Sequence, residues 1–321
     1  MNLHKLEMSL HPFFGGFYME PKELIFNKVN GSFVDGYGIR TTIFLKGCPL
    51  HCKWCCNPEG QSFQQQLRYL ADDCNGCGAC VPACPKGALE IEDGKAVLDR
   101  GKCNLCGKCI EACWPGALRY AAQLQSVDEV FSSIIREKPF FDHSGGGLTI
   151  GGGEASSFPD FCLALIAKCH GNGIRVAIDT CGYTLSEESL KALDAADLLL
   201  YDIKGIDEKQ HIENTGVSNK RILDNFHHFT EIGKPMIVRL PVIPGCNDQP
   251  EDQEKVIQLL KNAPNVERVD IIPFHTFGSV KYGELGMPYP MPEDAKPLTE
   301  KDVADYAQRL RDAGLNVQIG G

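Results

Sequence analysis

Three cysteines share one short stretch, Cys48, Cys52 and Cys55, in the spacing C-x3-C-x2-C. A structural zinc site takes four protein ligands, and an electron-transfer [4Fe–4S] cluster takes four cysteines. Three thiolates on a cubane leave one iron open to a substrate. Other residues able to do chemistry fall at the ends of apolar runs: Gly151-Gly152-Gly153-Glu154, Asp179-Thr180-Cys181-Gly182, Asp202-Ile203-Lys204, Arg239 and His275. Each also has an ordinary reading. A glycine run can cradle phosphate, although neither G-x-G-x-x-G before a helix nor a following Lys-Ser/Thr is present. A carboxylate at the start of a loop can cap it, and a lone histidine can be a satisfied structural residue. Glycines here would let a ligand approach the backbone closely. What favours one shared site is position, because the carboxyl ends of strands are where α/β proteins place their chemistry.

The elements that must position these residues alternate. Strand-like runs cover Thr41–Leu45, Leu148–Gly151, Ile174–Asp179, Leu198–Ile203, Met236–Val242 and Val269–Phe274, with a weaker last run at Val317–Ile319. Helical patterns between them cover Val127–Arg136, Asp160–Cys169, Glu187–Leu193, Lys220–Glu231, Glu251–Lys261 and Lys301–Ala313. Strands separated by helices predict parallel pairing with right-handed crossovers. The fold class is therefore α/β, with about six units, fewer than the eight of a closed barrel. Residues 1–65 hold an N-terminal segment, the first strand and the three-cysteine loop; 66–122 form an inserted module; 123–321 complete the alternation.

The insert is marked by Cys, Gly and Pro with little periodicity. Cys74-x2-Cys77-x2-Cys80-x3-Cys84-Pro85 is followed by Cys103-x2-Cys106-x2-Cys109-x3-Cys113, and Gly-Ala-Leu recurs after each run. Each run resembles that of bacterial ferredoxins, in which the fourth cysteine ligates the other cluster. The resemblance implies one cluster on Cys74, Cys77, Cys80 and Cys113 and another on Cys84, Cys103, Cys106 and Cys109. Trp114 stands where the usual proline is displaced to Pro115. A pair of zinc sites is the alternative that C-x2-C spacing leaves open.

Bulk properties narrow the classes further. The chain has 321 residues, 16 cysteines and a net charge of −10, which argues against nucleic-acid binding. The first twenty residues lack an apolar core for export, and no run is long enough to span a membrane, so a cytoplasmic setting is expected. Eleven cysteines fall in groups too tight for a disulfide framework. Cys56, Cys162, Cys169, Cys181 and Cys246 fit no ligand spacing and read as small buried apolar residues.

Asp35-Gly36-Tyr37-Gly38-Ile39-Arg40-Thr41, the cysteine loop and Asn57-Pro58-Glu59 together resemble the signature of the glycyl-radical enzyme activating enzymes, a family of the radical S-adenosylmethionine (SAM) superfamily. The resemblance runs almost end to end. It implies a partial (β/α)6 radical SAM barrel with an inserted ferredoxin-like two-cluster subdomain. It also implies a cluster on Cys48, Cys52 and Cys55 whose open iron is chelated by SAM. One electron then cleaves SAM to a 5′-deoxyadenosyl radical, which takes hydrogen from a glycine of a partner enzyme. Gly152, Gly153 and Glu154 match the family's GGE motif at the SAM amine, with Ala155 where proline is usual. Asp202, Ile203 and Lys204 match its D-x-K motif, whose lysine meets the SAM carboxylate. Trp54, just before Cys55 and Cys56, which are also counted at the SAM site, takes the aromatic position against adenine, Arg239 ends a strand at the site, and His275 lies near the ribose. Asp179, Thr180 and Asp202 are similar to positions that hold a monovalent cation. The implied cofactors are three [4Fe–4S] clusters and SAM, and the implied partners are a glycyl-radical enzyme and a flavodoxin or ferredoxin as electron donor. Members with this insert serve partners other than pyruvate formate-lyase. Two other readings are weighed against this one: a radical SAM enzyme acting on a small molecule, and a non-enzymatic iron–sulfur electron carrier.

Overall fold

The computed structural model describes residues 20–184 and 186–320. Most of the N-terminal stretch examined above for an export signal lies outside them. Among the described residues, one sheet of nine strands runs in the order β13-β12-β11-β10-β9-β8-β2-β1-β7. Its strands are β1 (Lys22–Ser32), β2 (Arg40–Leu45), β7 (Gln123–Ser126), β8 (Gly147–Gly152), β9 (Arg175–Thr180), β10 (Leu198–Asp202), β11 (Met236–Val242), β12 (Val266–Pro273) and β13 (Val317–Ile319). From β2 through β13 every neighbouring pair is parallel. The strand order is open, with β7 and β13 at its two edges. This is the partial α/β barrel expected from the alternation, with the short last run taking a place in the sheet as its seventh parallel strand.

Two strands escaped the sequence pattern. β1 pairs antiparallel with both β2 and β7 and extends the sheet on one side. Its residues KELIFNKVNGS bury only Ile25 and Ser32 fully, so no clean apolar alternation betrays it. β7 is four residues of mostly polar composition. The helices meet the expected stretches closely: Lys220–Glu231 as expected, Val127–Ile134 two residues short of Arg136, and the last one starting at Ala304 rather than Lys301.

The core forms between these helices and the sheet. Leu148, Ile150, Val176, Ile178, Leu199, Val238, Val269 and Ile271 are closed to solvent on the strands. Phe161, Leu165, Leu193, Phe226, Phe229 and Leu310 pack over them from the helices. Strands buried on both faces read as near-continuous apolar runs, which is why they were legible.

Residues 66–122 contribute two short two-stranded sheets. β3 (Leu67–Tyr69) pairs with β6 (Leu118–Tyr120), and β4 (Leu89–Glu92) pairs with β5 (Lys95–Leu98). The β3–β6 ladder brings the two ends of the segment together. Leu67, Leu89, Ala96 and Leu118 form a separate cluster with Cys80 and Cys109.

Candidate active site

The loop after β2 is held from three sides. Gly47 N–H donates to the Gly60 carbonyl at 2.9 Å, and Cys48 N–H to that of Gln61 at 3.2 Å, which closes the loop on itself. His51 and Lys53 N–H donate to the carbonyls of Thr215 and Asn214, at the end of the helix Glu208–Thr215. Tyr282 reaches in from the opposite side, its hydroxyl donating to the Cys55 carbonyl at 3.0 Å.

Held this way, Cys48, Cys52 and Cys55 line a cavity of about 570 Å³, within the range of small-molecule sites. Burial pushes all three thiols up, Cys55 to about 12, and neighbouring thiols add to the shift at Cys48 and Cys55. Three mutually close thiols in apolar surroundings would gain by giving up protons to a metal.

The same cavity receives the strand-end residues. Trp54, Cys56, Gly152, Gly153, Asp179, Thr180, Asp202, Lys204, Arg239 and His275 all line it. Lys204 Nζ lies 2.7 Å from an Asp202 carboxylate oxygen. Burial alone would lower the Lys204 ammonium, but Asp202, Cys52 and Cys181 hold it well above its usual value, so it stays charged. Arg239 bridges two carboxylates, Asp179 at 3.1 Å and Asp35 at 3.2 Å. Burial raises the Asp179 carboxyl to about 7 against the pull of Arg239. Burial lowers His275, which keeps it neutral, and its Nδ1 has no hydrogen-bond partner among the described residues.

Two residues expected at the site do not line the cavity. Ile203 is buried. Glu154 is closed to solvent, and its carboxylate accepts from Thr180 Oγ1 at 2.6 Å, Cys181 N–H at 2.8 Å, Cys181 Sγ at 2.9 Å and Ser156 N–H at 3.0 Å. That carboxylate is a strut joining the loops after β8 and β9, with no free lone pairs aimed at the cavity. The glycines before it also have a cause other than the one expected. A Cβ on Gly153 would stand 2.1 Å from the Gly47 oxygen, so the β8 loop needs glycine to pack on the backbone of the cysteine loop. Cys56 and Cys181, read as small apolar residues, both line the cavity.

Sequence reasoning missed Asp35 as the second carboxylate on Arg239, and missed Lys281, whose Nζ donates to Asn57 Oδ1 at 2.8 Å and pairs with Glu59 at 3.1 Å. Their contacts span 204 and 224 residues of chain. The motif match contained Asp35, but no local pattern could pair either residue with its partner. In the insert, one small cavity is lined by Cys74, Cys77, Cys80 and Cys113, and another by Cys84, Cys103, Cys106 and Cys109.

The donor set fits a cubane with one open iron and a zwitterionic nucleoside ligand. Three thiols face one side, a cation stands ready for a carboxylate, and an imidazole nitrogen is unsatisfied. A three-thiol loop at the strand ends of an open parallel barrel is the architecture of a radical SAM enzyme, and the description "Radical SAM superfamily" matches residues 42–260. The chain is 39% identical over 307 residues to the choline trimethylamine-lyase activating enzyme of Oleidesulfovibrio alaskensis, covering 94% of this chain and 99% of that one. It is 42% identical over 302 residues to the trans-4-hydroxy-L-proline dehydratase activating enzyme of Clostridioides difficile, covering 93% and 99%. To the (2S)-3-sulfopropanediol sulfolyase activating enzyme of Bilophila wadsworthia it is 43% identical over 273 residues, covering 83% and 89%. The chain belongs to the radical SAM superfamily and, within it, to the glycyl-radical enzyme activating enzymes.

Proposed function

We propose that this chain activates a partner glycyl-radical enzyme by cleaving SAM reductively to methionine and a 5′-deoxyadenosyl radical, which takes a hydrogen atom from a glycine Cα of that partner to give 5′-deoxyadenosine and the glycyl radical. The observation that carries this reading is the meeting of Cys48, Cys52 and Cys55 with Lys204 and His275 on one cavity. When bound, a [4Fe–4S] cluster with three protein thiolates supplies the open iron and the electron that breaks the sulfonium bond. The chain's own residues bind and orient. Lys204 offers charge-assisted donors to the methionyl carboxylate. Trp54 gives a flat apolar face to adenine, and neutral His275 can hydrogen-bond the ribose through either ring nitrogen. Because a hydrogen atom is transferred, no side chain has to act as acid or base. Asp179, Thr180 and Asp202 form a candidate monovalent-cation site. A cation there competes with Arg239 and Lys204 for the two carboxylates, and the Thr180 hydroxyl is already given to Glu154.

The segment 66–122 is proposed as a two-cluster module that takes electrons from a flavodoxin or ferredoxin in the cytoplasm. What supports it is the sorting of its eight cysteines around two cavities in the crossed ferredoxin pattern. Among the described residues no helix is long and apolar enough to cross a membrane. The partner is drawn from enzymes such as the lyases, dehydratases and sulfolyases named for the relatives, which stand at similar identities. The test is anaerobic incubation of the reconstituted chain with reductant, SAM and each candidate partner. Release of 5′-deoxyadenosine with a glycyl-radical doublet on one partner is expected. SAM cleavage with no radical on any partner would instead support a small-molecule substrate.

A further inference from the structure

The short helix Ser279–Glu284 touches the cysteine loop with one end and the insert with the other. On the loop side, Tyr282, 1% exposed, donates its hydroxyl to the Cys55 carbonyl, and Lys281 holds Asn57 and Glu59. Gly278, just before the helix, packs so tightly there that a Cβ would lie 2.6 Å from Cys56 Cα. On the insert side, Glu284 accepts both Nε (3.0 Å) and Nη2 of Arg68, the second residue of β3. The Glu284 carbonyl accepts from Arg100 Nη2 at 2.9 Å, and Arg100 Nη1 donates to the Leu67 carbonyl at 2.6 Å. Gly286, in the left-handed region at φ +68°, leaves room for Arg100, whose Nε would lie 2.3 Å from a Cβ there.

We infer that this helix is a bracket that sets how the insert sits against the three-cysteine loop, with Tyr282 and Glu284 as positioning residues. Two observations make the contact specific. Gly278 leaves no room for a Cβ against the Cys56 backbone, and Gly286 holds a left-handed conformation beside the Arg100 side chain. Between them, Arg68 donates through both Nε and Nη2 to the single oxygen Oε2 of Glu284, and the pair is largely buried, with side-chain exposures of 24% and 17%, so it is charge-assisted and shielded from solvent. The bracket also reaches both cysteine sets of the insert. Leu67, the residue Arg100 holds, lines the cavity of Cys84, Cys103, Cys106 and Cys109 and does not line the other. Tyr69, at the other end of the same strand, lines the cavity of Cys74, Cys77, Cys80 and Cys113, so the bracketed strand carries a wall of each cavity. The inference concerns contacts within the chain and stands whatever the identity of the partner enzyme.

If the bracket is real, a change at one end must be felt at the other. The measurement is amide hydrogen exchange on the full-length reconstituted protein. Glu284→Arg should raise exchange at Leu67–Tyr69 and, across the helix, at Cys55–Gly60, each by about tenfold. Tyr282→Phe should do so in the reverse direction, loosening Leu67–Tyr69 although the hydroxyl it removes bonds the cysteine loop. Combining Arg68→Glu with Glu284→Arg restores the pair with opposite polarity and should return both segments toward the parent. Should Glu284→Arg fail to fold, Glu284→Gln with Tyr282→Phe carries the same comparison. Exchange that rises only on the side of each substitution would overturn the inference, as would failure of the charge swap to rescue the far side.

Discussion

Lys204 and Glu154 show how residue types that look alike in the sequence part company once their partners are known. Lys204 keeps its charge beside Asp202 at the cavity wall. Lys204→Ala should weaken SAM binding about ten- to a hundredfold, the worth of about 1.5–3 kcal/mol for hydrogen bonds to a charged group. Equilibrium binding checks this, and unchanged affinity would remove the lysine from the site. Glu154 instead spends its carboxylate on four internal donors. Glu154→Ala leaves those donors buried and unpartnered, so a loss of about 2–4 kcal/mol in unfolding free energy is expected. Denaturant unfolding of the variant tests that, with Glu154→Gln expected to lose less. Cys52→Ala should abolish reductive SAM cleavage while keeping about eight of about twelve irons per chain. An iron content that collapsed entirely would mean that the loop organises the insert as well.

At the scale of elements, the site depends on where strands stop and what braces the loops beyond them. β8 and β9 end on Gly152 and Thr180, and the cysteine loop follows β2, which pairs with β8. The antiparallel edge formed by β1 and β7 leads directly into the helix Val127–Ile134, whose start carries a full capping box. Ser126 Oγ accepts from Glu129 N–H at 3.2 Å, and Glu129 Oε2 accepts from Ser126 N–H at 2.7 Å. Ser126→Ala should cost about 1 kcal/mol of stability, read from the unfolding midpoint, with SAM affinity unchanged. An equal loss of SAM affinity would show that the β7 edge communicates with the far face of the sheet.

Across the whole molecule, the apolar core of the barrel is separate from the small apolar cluster around Leu67, Leu89 and Leu118. Eleven cysteines in three sets predict about twelve irons and as many sulfides after anaerobic reconstitution. About four irons, or stoichiometric zinc, would refute the ferredoxin reading of residues 66–122. Cys106→Ala separates an electron relay from a docking platform. A relay requires that turnover with a protein reductant falls sharply while a small diffusible reductant still supports SAM cleavage at the core loop. Docking requires normal cleavage with either reductant and loss of the radical on the partner.

The sequence by itself determined the parallel strands, the three-cysteine loop and the repeated four-cysteine runs. Each rests on information that is local: apolar runs buried on both faces, or ligands within a few residues of one another. Its family signature also named Lys204 and His275, which the fold brings to one cavity. Only the tertiary structure decided which side chains turn toward that cavity. It turned the Glu154 carboxylate inward, gave Arg239 the carboxylates of Asp179 and Asp35, seated β1 and β7 as an antiparallel edge, and set the helix Ser279–Glu284 between insert and loop. Those outcomes depend on pairings such as Tyr282 with Cys55, 227 residues apart. A periodicity cannot encode such a pairing, because it is settled by which packed surface leaves the fewest buried donors and acceptors unpaired.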